Sequence, residues 1–488
     1  MSQSLRILLS VVLIWPVAYH GFSIAGKPVD LVASDFLPLA LAIALGRAIP
    51  FRDLQALRLR TSFRLAAFWC AAFVVCCLAI AAFGFVASGE KIRVASALKF
   101  VKPISFFLVG QLLAPVLGTV NFLQILPRTC LGLILASGLS TLLAPGFPNG
   151  AWGKTLGGFE LYGYPNSPMT FFGSLVPFLL AGALYDSRAP LRPLYYIAVG
   201  IVFATLAGSM SRSSTGVGIC GMLIFWWLTR NRRALGMVAV LGICIDLFGI
   251  SLEHWTQEYE FVASLKERVE TRLERTIHSD DALSGRDEIW VETLELVSAR
   301  PFFGYCFEPF SNYTFYSTPH QQYLEILFKT GGIGLAVFLL FFGYAALLVV
   351  QLWRRFADDI VMGPATAAIA ASLLAVCIGN LTQPNFTYSV TGNFQFFILG
   401  LLLSESTIAR LLVNRAARED LKQQPRATST TPPLKPFGSP EALRPDRPDA
   451  TPTRETTASQ FSGWHIHLQR QPAIVPRPQL PQSHQKSI

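Results

Sequence analysis

Three side chains in this 488-residue chain have the types needed to work on a phosphate-bearing substrate: Arg212, Arg286 and His320. Arg212 stands in the polar break Ser209, Met210, Ser211, Arg212, Ser213, Ser214, Thr215 between two apolar runs. Arg286 follows Ser284 and Gly285, and His320 follows Pro319. A guanidinium is a planar fork that takes two phosphate oxygens at once. A histidine at a helix N-terminus meets unpaired N–H groups and the positive end of the dipole, which disfavour imidazolium and leave a ring able to accept a proton. Together these groups could stabilise the charge of a departing phosphate and deprotonate an attacking hydroxyl. Each also has a plainer reading: Arg212 as a snorkelling anchor, Arg286 as a loop salt bridge, His320 as an interfacial cap. Arginine beside hydrocarbon is costly enough to be a functional candidate by default.

The elements that must position these residues are set by composition. Only 14% of the residues are charged, against about 25% in a soluble chain, and 52% are hydrophobic. Disorder, collagen-like repeats and a disulfide scaffold are excluded for the chain as a whole. Uncharged runs close to ~20 residues fit a ~30 Å hydrocarbon layer. The fold class expected is all-α, a polytopic membrane helical bundle. About twelve spans are expected, near 5–24, 31–46, 65–86, 104–126, 129–145, 168–185, 194–209, 214–228, 234–250, 332–351, 362–379 and 392–410. Seven of the eight cysteines lie in apolar runs and Cys306 in a polar segment, so neither a disulfide framework nor zinc spacing is read. The net charge of +10 is sorted between spans, which argues for a bilayer and not for nucleic acid.

Charge also orients the bundle. With the hydrophilic tail and its Arg410, Arg415, Arg418 and Lys422 inside, four basic loops obey the positive-inside rule together with the tail: Arg354/Arg355, Arg230/Arg232/Arg233, Arg188/Arg192, and Arg47 to Arg64. One loop disagrees. Lys91, Arg93, Lys99 and Lys102 would face outward, either as a misplaced boundary or as a cationic rim for an anionic ligand. The chain divides into 1–250, an N-terminal membrane bundle of about nine spans; 251–331, a large helical outer (periplasmic) loop; 332–410, three further spans; and 411–488, a disordered cytoplasmic tail holding 12 of the 31 prolines. Within the outer loop, the spacing predicts an amphipathic helix over 256–277. A second helix starts near Ser284, capped through Asp287, and buries Ile289, Trp290, Thr293, Leu294 and Val297 before stopping ahead of Pro301. A third is opened by His320 and ended by Gly331 and Gly332.

These residues resemble the bacterial O-antigen ligase and O-antigen or exopolysaccharide polymerase superfamily. The likeness rests on the Ser-Arg-Ser break at 211–213, on Ser284, Gly285, Arg286 to Trp290 with Arg300, Pro301 and Gly304, and on Pro319 to Gly334. The ligase signature is His, then Asn, Ser or Gln, nine residues, Gly, two residues, then Gly, Thr or Tyr. His320, Gln321, Gly331 and Gly334 satisfy it. The resemblance covers roughly residues 190–400, and the first half matches only in hydropathy. It implies a multi-pass protein of the inner membrane that transfers a glycan from an undecaprenyl diphosphate carrier to a sugar hydroxyl on the outer face. No metal or cofactor is implied. The acceptor would be a growing glycan repeat or a lipid A core sugar, with polysaccharide export or chain-length proteins as further partners. Under it Arg212 and Arg286 bind and stabilise the diphosphate, His320 is the general base, and Gln321 contacts substrate. The Gly-Arg-Asp-Glu-Ile-Trp stretch looks slightly more like exopolysaccharide polymerases. A lipid-linked glycan flippase or transporter is the competing class, and would want charges at bilayer depth, where Asp246, Asp35 and Glu405 are the candidates.

Overall fold

The computed structural model describes residues 3–14, 18–24, 27–36, 61–142, 155–156, 159–160, 166–186, 189–209, 211–230, 236 and 286–404. All belong to one of the chain's two compact units, Met1–Gln423. The described helices are α1 (Gln3–Ile14), α2 (Thr61–Ser88), α3 (Lys91–Leu117), α4 (Thr119–Leu142), α5 (Asn166–Tyr185), α6 (Arg192–Ser209), α7 (Arg212–Thr229), α8 (Arg286–Ala299), α9 (Gln322–Phe356), α10 (Met362–Gly379) and α11 (Ser389–Leu402). Two short antiparallel hairpins interrupt them, β1 (Ala18–Ile24) with β2 (Lys27–Val32), and β3 (Thr155–Leu156) with β4 (Phe159–Glu160). The architecture is therefore predominantly, not wholly, helical.

Among the described residues, five helices are long and apolar enough to cross a membrane: Arg64–Ser88, Lys91–Pro115, Thr119–Leu139, Gln322–Phe356 and Met362–Gly379. This is a membrane protein. The first expected span, 5–24, is corrected: its helix stops at Ile14 and the hairpin begins at Ala18. Pro16 lies between them in the sequence, and a proline in a helix interior both removes a hydrogen bond and clashes with the preceding turn. The expected spans 31–46 (beyond Phe36) and 234–250 (except Gly236), the helix over 256–277, Ser284, and the tail lie outside the described residues.

The expected loop around Lys91 to Lys102 is also corrected. Those residues ride on the first turns of α3, which runs on through Pro103 and Pro115 and ends at Gly118 in the left-handed conformation, φ 67°. Pro103 reads as a breaker in sequence, but helices packed in a bundle can re-satisfy the backbone that a proline frees. Two of the four cations are moreover engaged within the bundle. Arg93 is 8% exposed and pairs with Glu90 at 3.1 Å and Glu308 at 3.0 Å, and donates to the Tyr305 carbonyl at 3.1 Å. Lys102 pairs with Asp35 at 2.9 Å, and Asn393 donates to the same carboxylate at 3.0 Å. That accounts for Asp35 as a bundle-internal ion pair.

Small residues let the helices close up. Gly110 of α3 and Gly400 of α11 lie against opposing backbone: a Cβ on Gly110 would stand 2.2 Å from the Phe397 carbonyl oxygen, and one on Gly400 would stand 1.9 Å from that of Phe107. Such contact is the usual means by which membrane helices gain packing without a hydrophobic driving force. Around this seam a phenylalanine core fills the bundle, with Phe107 against Phe341 and Phe341 against Phe396.

Candidate functional site

One end of the bundle gathers the α2–α3 corner, the starts of α5, α7, α8 and α9, and the α10–α11 connection. At the start of α7, Ser214 Oγ lies 2.8 Å from Ser211 Oγ and 2.9 Å from Thr170 Oγ1 of α5, which fixes the turn that carries Arg212. Arg212 itself is exposed. Arg286 is the first residue of α8 and is half-buried.

Helix α8 is held by one stripe, Ile289, Thr293 and Val297, spaced four residues apart. Leu294, expected in the core, is 51% exposed because it falls off that stripe. The stripe meets a satellite core of Tyr305, Phe310 and Phe328. Tyr305 stacks on Phe328 at 4.7 Å between centroids, and its hydroxyl donates to the Leu296 carbonyl at 3.1 Å. Glu308 closes the same segment. Burial pushes its carboxyl up, but hydrogen bonds from Tyr313, Asn312 and Arg93, with the charge of Arg93, hold it below its ordinary value.

The glycines of the His-to-Gly signature now have a mechanical reason. Helix α9 does not end at Gly331 and Gly332 as expected; it breaks at Gly331, φ 65° and ψ −169°, and resumes. A break leaves carbonyls and N–H groups without helical partners. The 301–307 segment supplies them. Tyr305 N–H donates to Phe328 O at 2.8 Å and Phe307 N–H to Lys329 O at 3.2 Å, while Gly332 N–H reaches Pro301 O at 2.7 Å and Ile333 N–H reaches Phe302 O at 3.3 Å. A Cβ on Gly331 would stand 2.2 Å from Phe302 O.

His320 lies before this two-part helix, one residue ahead of its expected place: Gln321 is the N-cap and Gln322 the first helical residue. Its backbone is left-handed, φ 54°, and its N–H donates to Thr318 Oγ1 at 3.3 Å. The start of α9 is tied to the α10–α11 connection, with Gln322 N–H donating to Asn380 O at 3.0 Å and Phe386 N–H to Gln322 Oε1 at 3.0 Å. Gln321 Oε1 is buried without a hydrogen-bond partner among the described residues.

The three charged candidates come together. Burial lowers the pKa of His320, the charge of Arg286 lowers it further, and Glu325 opposes them. Burial likewise lowers Arg286, opposed by Tyr388 and reinforced by Arg212. The imidazole is thus biased toward neutrality as expected, though by burial and a guanidinium more than by a helix terminus. Two groups were not anticipated. Glu325 lies in the first turn of α9, and Tyr388 caps α11, where burial, then Glu325, raise its phenol above the ordinary range against the pull of Arg286. The sequence signal for Tyr388 was the uncharged polar run Asn380, Thr382, Gln383, Asn385 between two apolar helices.

Arg212, Arg286 and the His320 signature all fall within a stretch that matches a known family. Residues 197–339 match the O-antigen ligase family model, Wzy_C. This stretch is thus similar to the O-antigen ligase family. No curated protein matches the chain. The matched stretch runs from α6 into the second part of α9 and so contains every site residue expected from sequence; Tyr388 lies beyond it.

Proposed function

We propose that this protein is a metal-independent membrane glycosyltransferase that moves a glycan from undecaprenyl diphosphate to a sugar hydroxyl at the outer face of the inner membrane. The observation that carries the reading is the convergence of Arg212, Arg286 and a neutral-biased His320 from three separate chain segments at one end of the bundle. Arg212 and Arg286 hold the diphosphate and absorb the charge that develops on it as the anomeric C–O bond breaks. His320 removes the acceptor proton as the new C–O bond forms. A single displacement of this kind inverts the anomeric carbon. Gln321, beside His320 with an unpartnered side-chain oxygen, is assigned a contact to a sugar hydroxyl.

The acceptor favoured is a growing glycan, making the enzyme an exopolysaccharide or O-antigen polymerase, on the likeness of Gly285 to Trp290 to such enzymes. The glycan of a deletion strain tests this. Loss of a polymerase leaves single repeat units, loss of a ligase leaves long polymer unattached to lipid A core, and normal surface glycan rejects both. For the mechanism, His320→Ala should form no product in membranes that contain normal amounts of protein. Wild-type product there would remove the general base.

A further inference from the structure

Glu325 follows His320 by five residues, and its N–H donates to the Gln321 carbonyl at 2.9 Å. The residue is 4% exposed. One carboxylate oxygen, Oε1, accepts from Lys329 Nζ one turn on. The Lys329 ammonium in turn lies 4.9 Å from the centroid of the Phe100 ring, which fixes the pair from α3. The second oxygen, Oε2, is buried and has no hydrogen-bond partner among the described residues. Buried carboxylate oxygens are ordinarily satisfied, because a charge withdrawn from water is expensive to leave unmatched. His320 and Tyr388 are the titratable neighbours that feel the Glu325 charge, and Arg286 acts on both from α8. At the imidazole, Arg286 and Glu325 therefore work in opposite senses.

We propose that Glu325 is the positioning residue of the site, its unmatched oxygen serving as the negative partner of the His320 imidazolium at the moment the ring takes up the acceptor proton. The inference rests on the reading of His320 as general base. In that step the acceptor O–H bond breaks, its proton goes to His320, and its electron pair makes the new bond to the anomeric carbon. The electrons of the old C–O bond leave with the diphosphate. Glu325 takes no proton in this step, as the orienting carboxylate takes none in serine hydrolases. Lys329 occupies the other oxygen, so only Oε2 is free to act.

The test reads His320 directly. In the full-length protein with His20, His254, His278, His465, His467 and His484 replaced, diethyl pyrocarbonate acylates the neutral ring of His320, and its rate from about pH 5 to about pH 8 gives a midpoint. Glu325→Gln removes a charge that favours imidazolium, so the midpoint should fall by about half a unit or more. Product formation should fall about threefold or more, with the KM for the lipid-linked donor within about twofold. Glu325→Asp keeps the charge and should keep the wild-type midpoint. An unmoved midpoint in Glu325→Gln overturns the proposal, as do Gln and Asp variants that lose rate equally with no movement. A midpoint that moves as expected, in a protein whose His320→Ala variant stays active, upholds the pairing and rejects the general base instead.

Discussion

Adding one carbon at Gly331 should unlock the break in α9. Alanine there would adopt φ near 65°, a conformation that costs a non-glycine residue about 1–2 kcal/mol. Its Cβ would stand 2.2 Å from Phe302 O and 2.5 Å from Phe303 N, and both are backbone atoms that cannot rotate away. The 301–303 turn must then retreat, lengthening the bonds from Gly332 N–H to Pro301 O and from Ile333 N–H to Phe302 O, each worth about 1 kcal/mol. The sum is roughly 3–4 kcal/mol, which at about 2–4 °C per kcal/mol for a domain of moderate size lowers the midpoint by about 6 °C or more. Gly343→Ala is the matched control: it lies in the same helix, nothing stands within 4 Å of its added Cβ, and alanine is the better helix former by about 1 kcal/mol. Thermal unfolding of the detergent-purified variants, followed by tryptophan fluorescence, compares them. If Gly331→Ala melts within about one degree of Gly343→Ala, the account of the break is wrong.

Because burial and Arg286 depress His320, its neutral form should persist to lower pH than a free imidazole. The acidic limb of kcat/KM should be centred below the ordinary value of about 6.5, and a limb at or above that value would contradict the environment described. Arg286→Lys keeps the charge but loses the fork, and should cost about 1.5–3 kcal/mol, or about 10- to 160-fold in kcat/KM. A rate within twofold of wild type would make Arg286 structural. Arg93→Ala removes the partner of Glu308 and of the Tyr305 carbonyl from a largely buried site, and should destabilise the 301–312 segment by about 3 kcal/mol. Limited proteolysis should then cut between 301 and 312, whereas an unchanged digestion pattern would show that the segment is held elsewhere.

Much of this was legible in the sequence, for identifiable reasons. Apolar runs marked α2, α4, α5, α10 and α11 because hydrocarbon imposes one rule on every residue facing it. Arg212, Arg286 and His320 stood out because polar groups at the ends of apolar helices are few. What escaped was information held in pairs. Lys91 to Lys102 looked like a loop because the partners of Arg93 and Lys102, Glu308 and Asp35, are far away in sequence. Leu294 was placed inside by periodicity alone, which could not tell that α8 buries one narrow stripe. Glu325 drew no notice in the sequence, and only its burial near His320 gives it a role.

The seam between α3 and α11 limits how a lipid could travel. Gly110 and Gly400 bring the two backbones into contact, and about 12 Å back along α11, at 1.5 Å per residue, a Cβ on Gly392 would meet the Pro103 ring at 2.6 Å. Parting the helices to admit an acyl or isoprenoid tail would break the close backbone contacts at Gly110 and Gly400. The seam is therefore a wall. Any lipid chain that arrives at Arg212 and His320 from the bilayer comes in past other helices, and a bulky residue at Gly110 or Gly400 would act by splaying the bundle, leaving the doorway itself untouched.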